Sequence, residues 1–289
     1  MFPALPFLPA FLLLFSVLAP APLHAQTAPA DANPPAEVPP SAEGQAVYAE
    51  ALQLMNQGKV DEALAKLAAM PAADASHSAV LNLKGALSVR KKDYPAAAAA
   101  FGKILEANPK NTIAHFNLGE VHFLQKDYPK AKALFTRFLQ EPGNSQNALG
   151  RYKVFLCDLL GADPSAAAKT LADLEPTISH PFYYFANAAQ AFKTGQADKA
   201  REYIQSAFGI YPGGLNAAFA DSMVELGWLK PEEIAQIGAI DSAALQSLSS
   251  EFRPEKAGPT PEPAAPTGFE NLLPDFAREP KPAPPAVQP

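Results

Sequence analysis

The chain has 289 residues, 48% of them apolar, 31 of them proline, and a formal net charge of −6. That length allows one or two domains with a sizeable core, while the negative balance argues against a nucleic-acid binder, whose phosphate contacts need clustered lysine and arginine. A single cysteine, Cys157, leaves no internal disulfide; set in "KVFLCDLL", it reads as a small buried apolar residue.

The N-terminus carries an apolar run from Ala10 to Ala19, between Pro9 and Pro20, then small residues up to "LHA" before Gln26. A run that short does not cross a bilayer, which takes about 20 apolar residues. It predicts a secretory signal peptide over residues 1–25, cleaved after Ala25, and hence export to the periplasm or the exterior. No lysine or arginine precedes the run, so an uncleaved anchoring segment is the alternative. Residues 26–43 are Ala, Pro, Thr and Asp with little to bury, and predict a disordered linker. Residues 254–289, eleven of which are proline, predict a disordered tail with one apolar island, "GFENLLPDF" (Gly268 to Phe276). The island reads as incidental hydrophobicity, with a short docking motif as the alternative.

Between these ends the chain repeats. Asp61, Pro95, Pro129, Pro164 and Asp198 open similar segments, "DEALAKL", "PAAAAAF", "PKAKALF", "PSAAAKT" and "DKAREYI", at intervals of 34, 34, 35 and 34 residues, and a weaker copy begins near Pro231 in "PEEIAQI". Proline suits the first helical position, because it has no N–H to lose there, and aspartate complements the helix dipole. Three residues upstream stand Gly58, Lys92, Lys126, Gly161 and Gly195, suited to the end of a preceding helix as a turn former or a cation. The unit is therefore helix, tight turn, helix. In "KDYP", found at Lys92 and again at Lys126, the lysine is a cation at one helix end, the tyrosine is held extended by the following proline, and the proline opens the next helix.

Two residues after each start comes Ala63, Ala97, Ala131, Ala166 or Ala200, and six residues after it, in four copies, Leu67, Phe101, Phe135 or Ile204. Gly85 and Gly119 lie 34 apart in mid-helix, where glycine costs about 1 kcal/mol relative to alanine and needs a packing reason. The close approach of two helices supplies one. With "NLGEVHFLQKDYPKAKALF" in the third copy and Pro109 and Pro212 closing the second and fifth, the chain resembles the tetratricopeptide repeat family. The fourth copy departs from the pattern, with Val154 in the glycine slot and Thr170 in the aromatic one.

The resemblance implies an all-α, right-handed α-solenoid of about five to six helix-turn-helix repeats over residues 44–253. The stretch "LNAAFADSMVELGWLKPEEIAQIG" is then a degenerate sixth unit, with Trp228 in its core or cap, followed by a capping helix opened by Asp241. It also implies a concave groove, lined by the first helix of each unit, that takes a peptide or protein partner. The groove slots carried onto this chain are Tyr48; Asn82 and Ala86; Phe116, Asn117 and Glu120; Arg151, Tyr152 and Phe155; and Phe185 and Phe192. Rings there would supply contact area and amides would pair with a backbone; the alternative is that the rings fill the interior between repeats. Of the slots that form a chaperone-tail clamp in some members, Tyr48, Leu52, Leu83, Ile113 and Asn117, only Asn117 fits.

No catalytic constellation stands out: there is no phosphate-cradling glycine loop, H-E-x-x-H, paired-cysteine spacing or nucleophile elbow. His115 and His122, nearly two turns apart on one helix face, read as a packed or surface pair rather than metal ligands. Asp61 with Glu62, and Glu232 with Glu233, sit at helix starts, where acidic residues stabilise the dipole. The expectation is a non-catalytic adaptor without metal or cofactor, with no span in the mature chain, that associates with the envelope. A tethered envelope spacer that self-associates through its ends is the alternative.

Overall fold

A computed structural model describes residues 37–144 and 147–238. The predicted signal peptide, most of the linker, the helix from Asp241 and the island Gly268–Phe276 lie outside the described residues. Five helix pairs follow one another: α1 (Ala42–Asn56) with α2 (Val60–Ala68), α3 (Ser78–Arg90) with α4 (Tyr94–Ala107), α5 (Thr112–Leu124) with α6 (Tyr128–Gln140), α7 (Ala148–Leu160) with α8 (Pro164–Asp173), and α9 (Phe182–Lys193) with α10 (Ala197–Ile210). A sixth unit follows, α11 (Gly213–Glu225) and a helical stretch over 231–238, α12. Among the described residues there is no strand, and the expected α-solenoid of repeated helix pairs is what forms.

The turn inside every unit is the same. Gly58, Lys92, Lys126, Gly161, Gly195 and Gly227 all have positive φ, and each donates its N–H three residues back while the next residue donates five residues back, as in Lys92 to Val89 and Asp93 to Ser88, both 2.8 Å. This paired bond closes a helix through one left-handed residue, which glycine adopts without strain. In "KDYP" the lysine is therefore the left-handed residue, at φ 60° for Lys92 and 62° for Lys126, and not simply a cation at a helix end. The aspartate is the cap: Asp93 and Asp127 accept the N–H of Ala96 (3.1 Å) and Lys130 (3.4 Å). Tyr94 and Tyr128 are already the first helical residues, one position earlier than expected, and the prolines follow them. A left-handed lysine costs about 1–2 kcal/mol, so Lys92→Gly and Lys126→Gly are each expected to raise stability by about 0.5–1 kcal/mol, net of the entropy glycine adds to the unfolded chain. Urea midpoints of the two variants check this.

Helix starts elsewhere use the same logic. Asn111 and Asn147 cap α5 and α7 by accepting from Ala114 (2.9 Å) and Gly150 (2.8 Å). The chain before α1 is held as well, against the expectation of a linker up to residue 43. Ser41 caps α1 through Gly44 and donates its N–H to Asp74 at 3.0 Å, and the Ser78 N–H donates to Glu37 at 2.7 Å.

Within a unit the helices meet through exchanged volumes. A Cβ placed on Gly85 would sit 2.5 Å from the Phe101 ring, and one on Gly119 would sit 2.8 Å from the Phe135 ring. The mid-helix glycines are thus the seats of the two buried phenylalanines. Where the glycine slot holds Ala51 or Ala188, the matching position holds the smaller Leu67 or Ile204, and in the fourth unit Val154 is matched by Thr170. That unit's second helix, α8, buries only Ala167.

Buried apolar residues form two clusters that divide inside α5, where Ala114 and Val121 join the first and Phe116 and Phe123 join the second. The sixth unit does not keep to its neighbour. Phe219 of α11 stands 5.6 Å from Phe185 in unit five and 5.1 Å from Tyr152 in unit four. Its C-terminal end, with Trp228, faces Phe123 and Tyr128 of unit three across a cavity of about 290 Å³. The connector from α10 to α11 has only Tyr211 and Pro212, and Asn216 of α11 is clamped back onto it, donating to the carbonyls of Ala207 (3.2 Å) and Tyr211 (3.0 Å).

Candidate functional site

The first helices of units one to five carry the proposed groove residues, but inside the molecule. Tyr48, Ala86, Phe116, Tyr152, Phe155 and Phe185 are buried, as are Asn82, Asn117 and Glu120. Asn117 donates to Asn82 across neighbouring units at 2.7 Å. Phe116 packs edge-on against Phe135 and Phe138, at 5.3 and 5.2 Å. These rings fill the interior between repeats and present no surface to a partner, which was the alternative reading of the set. Only two members reach solvent. Arg151 is exposed, its guanidinium 5.8 Å from the centre of the Phe182 ring, and Phe192 is half-buried, stacked on Trp228 at 5.6 Å. The physical reason for the burial over units four and five is α11, which lies across α7 and α9 where an open groove was expected.

Beneath α11 is a charge cluster. The Lys153 ammonium of α7 is 2.7 Å from Glu120 of α5 and 3.3 Å from Glu225 of α11, and 5.1 Å from the centre of the Phe123 ring. Burial acts to lower the Lys153 pKa but is outweighed by the two carboxylates, which raise it. Burial lifts Glu120 to about 7 against the pull of Lys153, and lifts Asp221 of α11 to about 7 with Glu225 adding to the rise. Three carboxyl groups therefore share one cation, and Glu120 Oε1 and Asp221 Oδ2 have no hydrogen-bond partner. Sequence reasoning placed Glu120 in a groove and missed Lys153 altogether. Its signal was a lysine inside the apolar helical run "YKVFLCDLL". Cys157, in the same helix, is buried, and burial pushes its thiol well above the usual range.

A second feature lies on the outside of unit five. Tyr203 of α10, Tyr183 and Tyr184 of α9, and Tyr211 of the α10–α11 connector form a ladder with successive ring centres 6.5, 5.2 and 6.0 Å apart. The first three are half-buried. The Tyr211 hydroxyl donates to the Thr177 carbonyl and so ties the α8–α9 loop to the ladder. The next residue, Ile178, is 97% exposed, and Ile210 nearby in the chain is 53% exposed. Half-exposed tyrosines beside exposed aliphatic residues are the composition of protein interfaces. The doublet "YY" at 183 and 184 was the available sequence signal.

The remaining candidates have structural partners. His115 Nε2 is 2.8 Å from the Pro109 carbonyl, while His122 is half-buried, its pKa lowered by burial. Among the described residues no three His, Cys, Asp or Glu side chains converge on a point where a metal ion could sit. Asp61 pairs with Lys91 at 2.6 Å, and Glu233 accepts from Arg201 at 3.1 Å and from the Lys230 N–H at 2.9 Å. No described helix is long and apolar enough to cross a membrane.

A family model for the tetratricopeptide repeat matches residues 48–103 and 87–147, which is units one to three. Units four to six continue the same turn geometry beyond the matched stretch. No curated protein matches the chain. Repeats of this kind generally mediate protein–protein interaction and are typically non-catalytic scaffolds.

Proposed function

We propose that the protein is a non-catalytic adaptor that is exported through its N-terminal segment and binds a protein partner. The observation that carries the reading is the tyrosine ladder with the exposed Ile178, four rings in contact on the outside of a repeat scaffold. Tyrosine gives a large, stiff contact area with a polar tip, and such residues dominate binding energy when an interface closes over them. The scaffold holds them in a fixed row because α9 and α10 are locked by Ala188, Ala200 and Ile204, all fully buried. Of the groove set, Arg151 is exposed and Phe192 half-buried, and these two are the members a partner can reach.

The test is affinity capture from envelope fractions with the full chain, beside a variant carrying Ile178→Asp, Tyr183→Ser and Tyr203→Ser. The expected result is a partner identified by mass spectrometry with the wild type and lost from the variant, at unchanged helical circular dichroism. A partner retained by the variant moves the binding surface elsewhere, and no specific capture by either chain overturns the adaptor reading. The captured bait also reports export, since a mature chain is expected to begin at Gln26.

A further inference from the structure

In a stack of repeats each unit contacts only its neighbours. Here α11 of unit six contacts unit four through Tyr152 and Lys153, and shares a cavity with Phe123 and Tyr128 of unit three. It lies on the first helices of the units as a bound helix would, with one aromatic anchor, Phe219, between Tyr152 and Phe185, and one carboxylate, Glu225, six residues later on Lys153. The seat is imperfect. A cavity of about 290 Å³ remains at its C-terminal end, Glu120 Oε1 and Asp221 Oδ2 are buried without a partner, and Asp221 adds a third carboxyl group to a cluster with a single ammonium.

We infer that the α7–α9 face is a binding site for an amphipathic helix, occupied in the resting protein by the chain's own α11, and that the partner displaces α11 with a helix bearing an aromatic residue followed six positions later by a carboxylate. Such a helix reproduces the two contacts that α11 makes. With a neutral residue at the position of Asp221 it also removes the surplus carboxyl group. Lys153 keeps Glu120 as its counterion while the face is open, so opening does not strand a lone cation. The inference rests on the protein-binding reading above and names the partner's form.

The probe is a fluorescein-labelled peptide of residues 213–229 with Asp221→Asn, followed by anisotropy against the full-length wild type and a full-length variant carrying Phe219→Ala and Glu225→Lys. The variant removes the aromatic anchor of α11 and sets a second cation against Lys153, so its own helix leaves the face. The expected result is binding at least tenfold tighter to the variant than to the wild type, abolished when the peptide carries the same two substitutions. Equal binding to both proteins, or to neither, overturns the inference. Hydrogen exchange on the wild type gives an independent reading should the variant fail to fold. Amides of α11 are expected to exchange through an opening that leaves α7 and α9 protected, and exchange of α11 only together with α7 and α9 overturns the inference. Failure of the peptide with successful capture of a partner overturns the inference and leaves the adaptor reading standing, and loss of that capture in the ladder variant places the site at the tyrosine ladder.

Discussion

Lys153→Met is expected to destabilise the protein by about 3–5 kcal/mol at pH 8, the usual cost of removing one partner from a buried ion pair, and to recover most of that loss at pH 5. The methionine fills the volume but leaves Glu120 and Glu225 without their cation. At pH 5 Glu120 and Asp221, both raised by burial, are protonated, so fewer buried negative charges need it. The wild type follows the same direction more gently. Glu120 and Asp221 have folded pKa values of about 7, above the ordinary values near 4 of the unfolded chain. Between about pH 4 and 7 the folded state binds more protons, so the contribution of these groups is present at low pH and is lost as pH rises through 7. The groups that face one another are Glu120 from α5, Tyr152, Lys153 and Cys157 from α7, and Asp221 and Glu225 from α11. Urea unfolding of the wild type, Lys153→Met and the double variant Lys153→Met/Glu120→Gln at the two pH values checks the account, and the double variant is expected to lose less at pH 8 than the single one.

The second large effect is a coupling. Gly85→Ala is expected to cost about 1–2 kcal/mol, because overpacking against the Phe101 ring exceeds the roughly 1 kcal/mol that alanine gains in a helix. The ring cannot step aside, since Phe101 is fully buried. Phe101→Leu alone leaves a cavity over Gly85 and costs about 1–2 kcal/mol. Made together, the two changes recreate the Ala51–Leu67 pairing of unit one, and the double variant is expected to be about 1–2 kcal/mol more stable than the sum of the single effects predicts. Purely additive losses in a double-mutant cycle would show that the two side chains do not exchange volume.

The repeat was legible because it is written in residues whose reason is local. A left-handed turn position recruits glycine, and a ring packed on a helix backbone recruits glycine opposite it, so both recur at the period of the unit. The same locality explains the error over "KDYP". Lysine at a helix end has a good electrostatic reason to be there, and nothing in the dipeptide says that its φ is positive, although its register with Gly58, Gly161 and Gly195 does. The groove was misread for the opposite reason. Phe116, Tyr152 and Phe185 occupy the slots of an open face, and what closes that face over units four and five is a helix some 30 to 70 residues further on. One trace of this was visible, the interval from Gly195 to Gly227, which is 32 residues rather than 34 or 35. The tyrosine ladder escaped because its members come from two helices and a connector, and no period joins them.

The span between Lys153 and Glu225, 72 residues, also has a meaning in time. Chains are made from the N-terminus at about 5–20 residues per second, so roughly 4–14 s separate the synthesis of the two residues. Units one to four, with Tyr152 and Lys153, are synthesised before α11. A partner helix that meets the nascent chain in that interval has no incumbent to displace, whereas one that arrives later competes with a segment tethered to the face it seeks. The order of synthesis thus gives early and late partners different access to the same surface.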